Sequence, residues 1–329
     1  MSGGVSLLGM GEWQALERKP RAVTVGNFDG VHRGHHSLLA ALDRYAQAHP
    51  GIAKCAVTFF PHPATVVAPD LAPRLLLSLE ERVRWLRRLG ADEVVVLRFD
   101  LALSRMSAAA FAREVLAEAL QAQHVVIGEN FRFGNGQEGN LSQLQALGAA
   151  LGFQVEGLPL ATWRGLPVSS SEIRRRLREG DVVRVARLLG RPHSLRGPVV
   201  RGRGVGSKQT VPTLNLAPAE EALPADGVYV TRTFDEAGGA VYPSITNIGV
   251  RPTFDDGHPE RSIETFLLGP LVEEPAEIRV EFLRRVRAER KFDTPEALRA
   301  QILHDVSTAQ AFHRRLLRWQ PPEMALSAQ

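Results

Sequence analysis

The chain has 329 residues, a formal net charge of +4 and a single cysteine. That length exceeds the roughly 100–200 residues of one domain, so two domains are expected, and one cysteine excludes an intrachain disulfide framework. Arginines are interspersed with acids, which does not indicate nucleic-acid binding. Residues 1–10 lack a basic signal-peptide region and no apolar run approaches a membrane span, so a cytoplasmic protein with no membrane partner is expected.

Between Arg21 and about Gly190, short apolar runs alternate with segments of helical periodicity. This alternation is typical of βαβ units and predicts an α/β domain with a parallel sheet. Strands are predicted at Ala22–Val25, Cys55–Phe59, Glu93–Leu97, Val125–Gly128 and Gln154–Leu158. Helices are predicted at Ser37–Gln47, Leu79–Leu89, Ala108–Leu120 and Leu141–Leu151. Ligands of such sheets bind at the carboxyl ends of the strands.

The segment after the first strand reads Gly-Asn-Phe-Asp-Gly-Val-His-Arg-Gly-His, residues 26–35. Its glycines tolerate positive φ and close backbone approach, and the next helix attracts anions to its N-terminus. His32 and His35 lie on one helical face and can stabilise the charge of a triphosphate under attack. With His36 they could instead be surface histidines or metal ligands, but no cysteine and only Asp29 lies nearby. A phosphate site is the favoured interpretation.

Two further loops follow strands of the predicted sheet. Pro61-His62-Pro63 forms a rigid loop because each proline fixes φ and restricts the residue before it. The segment of residues 128–134 holds Asn130, an amide that can bind a base or flavin edge, between glycines. Its aromatic residues, Phe131 and Phe133, could stack on a planar ring or fill the core. We expect Asn130 to bind ligand and at least one phenylalanine to pack in the core.

A third loop ends in Ser169-Ser170-Ser171-Glu172-Ile173-Arg174. Ser169 and Glu172 have the spacing of a helix capping box, which alone explains their presence. The extra hydroxyls and an arginine in the first turn also form an anion cradle, because guanidinium groups bind phosphates through two hydrogen bonds.

The pattern of apolar residues changes after a helix predicted at Val182–Leu189. This helix ends at Gly190-Arg191-Pro192, which marks the predicted domain boundary. Short apolar runs separated by glycine and proline turns predict a small antiparallel barrel or sandwich. The runs are Pro198–Val200, Gly227–Phe234, Val241–Ile248, Ile263–Leu268 and Ile278–Val286. A terminal helix is predicted from Pro295, capped by Thr294, to about Leu317.

These motifs resemble a known family. His32, Gly34 and His35 match the His-x-Gly-His signature of nucleotidyltransferases, and residues 26–35 as a whole resemble the bacterial bifunctional riboflavin kinase/FAD synthetase family. The loops at 61–63, 128–134 and 169–174 occur in that family's order. The C-terminal half resembles its riboflavin kinase module through residues 190–192, 212–215, 227–229, 247–253 and Glu264. The likeness covers nearly the whole chain.

The resemblance implies that residues 1–188 form a Rossmann-like domain that adenylylates FMN with ATP to give FAD and pyrophosphate. It implies catalytic roles for His32, His35 and Arg174. The implied ATP and phosphate ligands are Gly26, Asn27, Phe28, Asp29, Gly30, Gly34, Ser170 and Ser171. The implied flavin-binding residues are Pro61, His62, Asn130 and Arg287.

The same resemblance implies that residues 189–329 form a β-barrel with a terminal helix that phosphorylates riboflavin to FMN. Glu264 matches the base that removes the ribityl hydroxyl proton, while Thr213 and Asn215 match the ligands of magnesium and ATP. Without their joint order, Glu264 would be interpreted as an exposed acidic residue on a strand, and residues 212–215 would be interpreted as a turn. The implied cofactor and partners are Mg²⁺, ATP, riboflavin, FMN and FAD, with no nucleic acid. No oligomeric state is predicted.

The chain departs from the family pattern mostly in its second half. Residues 206–213 lack an arginine and a glycine, and Ser207 and Thr210 stand in that stretch, where Thr210 adds a β-branched side chain. Phe266 replaces the usual histidine, and residues 269–270 lack the family's Asp-Leu-Tyr-Gly. Three alternatives stay open: FAD synthesis with a barrel that only binds flavin, a flavin-binding regulator without catalysis, and a nucleotidyltransferase for another substrate.

Overall fold

The computed structural model describes residues 7–200, 213–217, 220–251, 260–271 and 273–319. The chain divides into two compact units, Met1–Glu172 and Ile173–Gln329. The division falls inside the helix Ser170–Arg178, and the boundary between residues 188 and 189 stays a prediction. No helix of the described ranges is long and apolar enough to cross a membrane.

The N-terminal unit is built on a six-stranded sheet in the order β1-β4-β3-β2-β5-β6, in which every pairing is parallel. Its strands are β1 (Leu7–Leu8), β2 (Arg21–Val25), β3 (Ala53–Phe60), β4 (Glu93–Arg98), β5 (Ala122–Gly128) and β6 (Gln154–Leu158). The predicted parallel α/β fold is confirmed. Only β1 is new, because two residues are too short to show a period.

Helices cover both faces of this sheet. They are α1 (Arg33–Ala48), α2 (Pro63–Val67), α3 (Leu79–Arg88), α4 (Leu101–Ser104), α5 (Ala108–Ala110) and α6 (Leu141–Leu151). Buried side chains form one apolar cluster around Val23, Val57 and Ile127, and another around Leu39, Leu42 and Leu86. Cys55 is fully buried, as predicted, and burial raises the pKa of its thiol to about 12.

The predicted helix over Ala108–Leu120 is present with an unexpected pitch. After α5 the chain continues as a π-helix, Phe111–Ala119. Its buried residues are Phe111, Ala112, Val115, Leu116 and Ala119. They form one apolar face that belongs to the core cluster around Val23.

The C-terminal unit contains a closed antiparallel barrel in the order β10-β13-β12-β11-β14-β9. Its strands are β9 (His193–Val200), β10 (Thr213–Leu216), β11 (Gly227–Asp235), β12 (Val241–Arg251), β13 (Glu260–Leu267) and β14 (Glu277–Ala288). The barrel is therefore confirmed over a sandwich. Residues 213–216 form a strand where the motif alone suggested a turn. A two-stranded hairpin, β7 (Thr162–Trp163) and β8 (Leu166–Pro167), belongs to the N-terminal unit.

Three helices complete the described chain: α7 (Ser170–Arg178), α8 (Val182–Leu189) and α9 (Pro295–Trp319). Helix α8 ends at Gly190 in the left-handed region, φ 84°, as the glycine stop predicts. Helix α9 is capped by Thr294, whose hydroxyl accepts from the N–H of Ala297 at 3.1 Å. It packs on the barrel through Ala309 and Phe312, against Val228, Val230 and Ile245.

Candidate active sites

The glycine turn, residues 26–35, leaves β2 and enters α1 through an unusual backbone. Gly30 has φ 81°, but Phe28 and Val31 also have positive φ, 49° and 39°. Such angles are strained for residues with a Cβ, and most of all for a β-branched one. Both side chains are fully buried and pack in the cluster around Leu39. Burial of these two anchors therefore stabilises the strained turn.

His32 and His35 stand together at the start of α1. His32 is the N-cap residue, and its backbone N–H donates to Nδ1 of His35 at 3.2 Å. The two rings stack with centroids 3.6 Å apart, and Phe28 meets His35 edge-on at 5.0 Å. A Cβ on Gly34 would lie 3.1 Å from the His32 ring, so glycine leaves room for it. The predicted common face of the two histidines is confirmed.

The tautomer of His35 follows from this hydrogen bond. Because Nδ1 accepts a hydrogen bond from the backbone N–H of His32, the proton of the neutral ring lies on Nε2. His35 therefore offers an Nε2–H donor. His36 differs, since its Nε2 lies 3.1 Å from the carbonyl oxygen of Val31. The three histidines thus divide into a stacked pair and one that closes the turn.

Asp29 and Ser170 join the glycine turn to α7. The Ser170 hydroxyl donates to the Asp29 carbonyl at 2.8 Å, across 141 residues of sequence. The Asp29 carboxylate is buried and accepts from the N–H groups of Leu76 and Leu77, with a shortest distance of 2.9 Å. The backbone of the turn is thus anchored from two sides, and the first and last motifs of the N-terminal unit meet.

Other predicted phosphate ligands take their places in or beside this turn. The Gly26 N–H donates to the Val57 carbonyl at 3.1 Å and so continues the sheet. The side chain of Asn27 is exposed. Ser169 caps α7 as predicted, since its hydroxyl accepts from the Glu172 N–H at 3.2 Å. Ser171 is exposed in the first turn of α7, and Arg174 follows one turn after Ser170 on that helix.

The Pro-His-Pro loop starts a short helix at the carboxyl end of β3. His62 is the N-cap of α2, and its Nδ1 accepts from the Ala64 N–H at 3.2 Å. Pro63 is the first residue of that helix, where its missing N–H costs nothing. Pro61 and His62 are both partly exposed. The loop is therefore held by the cap of α2 and keeps a surface that a ligand can reach, while its rigidity stays a prediction.

The loop of residues 128–134 separates its polar and aromatic residues. Asn130 is exposed, whereas Phe133 is 8% exposed and belongs to the core around Ile127. Phe131 is partly buried and stacks on Phe133 with centroids 5.6 Å apart. The expected packing of at least one phenylalanine is confirmed, and the ligand role of Asn130 stays a prediction.

An open groove of about 400 Å³ lies between α1 and the β7–β8 hairpin. Its lining combines an indole with hydroxyl, imidazole and guanidinium groups. The lining residues are Arg33, His36, Ser37, Ala40, Ala161, Thr162, Trp163 and Val168. Because Arg33 and His36 flank His35 in the first turns of α1, the groove adjoins the stacked histidines.

In the barrel, Asn215, Glu264 and Asn247 lie side by side on three neighbouring strands, an arrangement called here the Glu264 row. Asn215 on β10 and Asn247 on β12 both lie directly opposite Glu264 on β13. Directly opposed residues of antiparallel strands point to the same face, with Cβ atoms about 5 Å apart. Thr213 precedes Asn215 by two residues, so it has the same face. The register therefore gathers amide, hydroxyl and carboxylate oxygens, the ligands that Mg²⁺ takes.

Two other predicted features of the kinase half have a structural explanation. Phe266, in place of the usual histidine, packs against the apolar cluster formed with α9. Arg287 donates through Nε to Asp305 of α9 at 2.9 Å, and its guanidinium lies over the Phe292 ring. The flavin role of Arg287 stays a prediction. The departures at residues 206–212, including Ser207 and Thr210, lie outside the described residues.

Sequence reasoning missed two residues at the first site, Thr58 on β3 and Arg82 on α3, both fully buried. Asn247 belongs to the motif of residues 247–253, but the motif alone does not place it opposite Glu264. A signal for Arg82 existed, since an arginine stands at an apolar position of the α3 pattern. No signal marked Thr58, because a threonine in a strand is ordinary.

Two family models match the chain: FAD synthetase over residues 14–172 and riboflavin kinase over residues 189–313. The bifunctional riboflavin kinase/FMN adenylyltransferase of Pseudomonas fluorescens is 35% identical over 298 residues, covering 90% of this chain and 94% of that protein. The enzyme of the same description from Escherichia coli K12 is 32% identical over 291 residues, covering 88% and 92%. A solved structure described as a macrolide-efflux protein from Streptococcus pneumoniae has TM-score 0.82 and 26% identity, covering 92% of this chain and 98% of its own.

Proposed function

Because this chain belongs to the family of bifunctional riboflavin kinase/FMN adenylyltransferases, we propose that it adenylylates FMN at the glycine turn and phosphorylates riboflavin at the Glu264 row. It uses ATP to convert riboflavin to FMN and FMN to FAD. The observation that carries the first site is the hydrogen bond from Ser170 to the Asp29 carbonyl, which joins two phosphate-binding motifs. Presence of both family domains favours two activities over FAD synthesis alone.

In the first site, the FMN phosphate attacks the α-phosphorus of ATP and pyrophosphate leaves. The FMN phosphate is already anionic at neutral pH, so no protein base is required. The Nε2–H of His35 donates to the α-phosphate oxygens as their charge grows, and His32 supports the ring by stacking. The proton on Nε2 stays in place because the backbone N–H of His32 occupies Nδ1.

The rest of ATP and the flavin bind around this centre. We assign the outer phosphates to Ser170, Ser171 and Arg174, since the N–H groups of a helix start, the Ser171 hydroxyl and a guanidinium suit anions, while the Ser170 hydroxyl donates to the Asp29 carbonyl. We assign the adenosine to the groove beside α1, where Trp163 offers an aromatic face. Flavin contacts are assigned to Pro61, His62 and Asn130, which are partly or fully exposed.

In the second site, Glu264 removes the proton of the ribityl hydroxyl as that oxygen attacks the γ-phosphorus of ATP and ADP leaves. Asn215 faces it across the strands, and Thr213 and Asn215 would hold Mg²⁺ together with the ATP phosphates. The ion would neutralise charge on the phosphate oxygens. The oxygen donors of this row suit that ion. The proposal includes residues 1–188 and 189–329 as the two domains, and a cytoplasmic location.

The decisive experiment is chromatographic separation of flavins after incubation of the purified protein with ATP and magnesium. Riboflavin and FMN are supplied in separate reactions. FAD from both substrates is the expected result. FAD from FMN alone would mean that the barrel lacks kinase turnover, and no FAD from either substrate would refute the assignment of the glycine turn.

A further inference from the structure

Arg82 is a charged residue in the interior of the N-terminal unit. It lies on α3 and is 0% exposed. Its Nη1 donates to the Thr58 hydroxyl at 3.3 Å and to the Phe59 carbonyl at 3.1 Å. An arginine is rarely buried completely, because its charge must be compensated by hydrogen bonds. Two such bonds, both from Nη1, go to the end of β3, beside the sheet edge that carries the glycine turn.

Thr58 extends this contact to the neighbouring strand. It is also 0% exposed, and its hydroxyl donates to the Asn27 carbonyl at 3.1 Å. The hydroxyl thus accepts from Arg82 and donates to Asn27, which uses both its capacities. Asn27 belongs to the glycine turn, and Phe59 lies two residues before Pro61. One guanidinium therefore links the starts of the two loops that serve ATP and flavin.

We propose that Arg82 and Thr58 are positioning residues for adenylyl transfer, and this inference rests on the proposed function. They fix the separation of the glycine turn and the Pro-His-Pro loop, so that the α-phosphorus of ATP lies in line with the FMN phosphate. Neither side chain contacts a substrate. A displacement of about 1 Å in such an arrangement costs on the order of a hundredfold in rate.

The link from Arg82 through Thr58 to the Asn27 carbonyl makes a specific kinetic prediction. Each substrate keeps its own contacts when this link is lost, because ATP binds the glycine turn and FMN binds the Pro-His-Pro loop. Only their mutual alignment changes. The turnover number of FAD formation should therefore fall, while KM for ATP and KM for FMN stay within about twofold.

Thr58→Val is the test, because valine has nearly the shape of threonine and lacks the hydroxyl. Arg82→Ala is less suitable, since it would also leave a cavity. Thr58→Ser keeps the hydroxyl and should restore turnover. Thr24→Val is the matched control: Thr24 lies on β2 and is 0% exposed, and its hydroxyl has no hydrogen-bond partner among the residues that the structure describes.

We expect Thr58→Val to lower kcat for FAD formation from FMN at least about tenfold, measured at a temperature where both variants are folded, while riboflavin phosphorylation equals that of Thr24→Val. Equal FAD formation by Thr58→Val and Thr24→Val would overturn the inference. So would a loss that Thr58→Ser does not recover, or a rise in KM alone. If the unaltered protein forms no FAD from FMN, the proposed function itself fails, which is a separate outcome.

Discussion

The two candidate sites place their residues on different kinds of structure. In the N-terminal unit, the site residues stand on turns that follow parallel strands, and bonds between distant segments hold those turns, as from Ser170 to Asp29. In the barrel, the site residues stand on the strands themselves, and the register of β10, β12 and β13 aligns Asn215, Glu264 and Asn247.

This difference has consequences for how each site responds to substitution. A turn can shift when one anchoring hydrogen bond is lost, so residues that never meet substrate have large effects on activity. A row of a closed barrel is fixed by many ladder bonds, so only the residues on the row should matter. Because the chain carries both sites, each activity serves as an internal control for the other.

The largest effect is expected from His32→Ala combined with His35→Ala. FAD formation from FMN should fall by roughly a thousandfold or more, because the His35 donor that meets the developing charge and the ring that supports it are both gone. Formation of FMN from riboflavin should not change. The measurement is the ratio of the two products by chromatography. His49→Ala, which alters an exposed histidine at the end of α1, is the control, and full FAD synthesis by the double variant would refute the assignment.

A loss of the opposite kind is expected from Glu264→Gln. Without the carboxylate that takes the hydroxyl proton, riboflavin phosphorylation should fall by about 10²–10⁴-fold. FAD formation from supplied FMN should stay unchanged. Initial rates with each flavin measure both effects. If phosphorylation persists at more than about a tenth of its normal rate, Glu264 is not the base.

A smaller effect is expected from Ser170→Ala, which removes the bond to the Asp29 carbonyl. The loss of one anchoring hydrogen bond, worth about 1 kcal/mol, should lower FAD formation by roughly fivefold. Ser169→Ala is the matched variant: it removes the cap of α7 and should lower the free energy of unfolding by about 1 kcal/mol without that loss of rate. Equal rates for the two variants would contradict the role of the Ser170 bond.

The smallest effect concerns stability and pH in the C-terminal unit. Burial lowers the pKa of His193 to about 4, below the value of about 6.5 in the unfolded chain. As pH falls through this window, the unfolded state binds a proton first, so the free energy of unfolding decreases by about 3 kcal/mol at most. Burial also lowers the pKa of His313, which acts in the same direction.

The test compares urea unfolding of the unaltered protein and of His193→Gln at about pH 7 and about pH 5. Glutamine does not titrate, so the free energy of unfolding of His193→Gln should decrease less between about pH 7 and about pH 5 than that of the unaltered protein. An equal loss in both proteins would show that His193 does not contribute to the acid sensitivity of the barrel.

Much of the fold was predictable because its elements have strong local signals. The apolar runs gave β2 to β6 within a few residues, and β6 and α6 have the predicted bounds. Helix α1 is predicted to begin at Ser37 but begins at Arg33. The prediction is late because the N-cap is His32, and histidine is not among the residues that usually mark a cap.

The candidate sites were predictable only where motifs carried the information. The histidines and the serines of α7 stand out in the sequence, but nothing local says that Ser170 bonds to Asp29, because that contact depends on how distant strands are ordered. Asn247 likewise depends on the register of β12 and β13. The positive φ of Phe28 and Val31 was not predictable, since neither residue type favours it.

The bond between Ser170 and Asp29 also bears on the order of events during synthesis. All six strands of the parallel sheet are complete at Leu158, so the sheet can form as soon as that residue has left the ribosome. The adenylyl-transfer site cannot, because its second anchor is translated later. A nascent chain or a proteolytic fragment that ends between Leu158 and Ser170 would have the whole sheet and a glycine turn that lacks its Ser170 anchor.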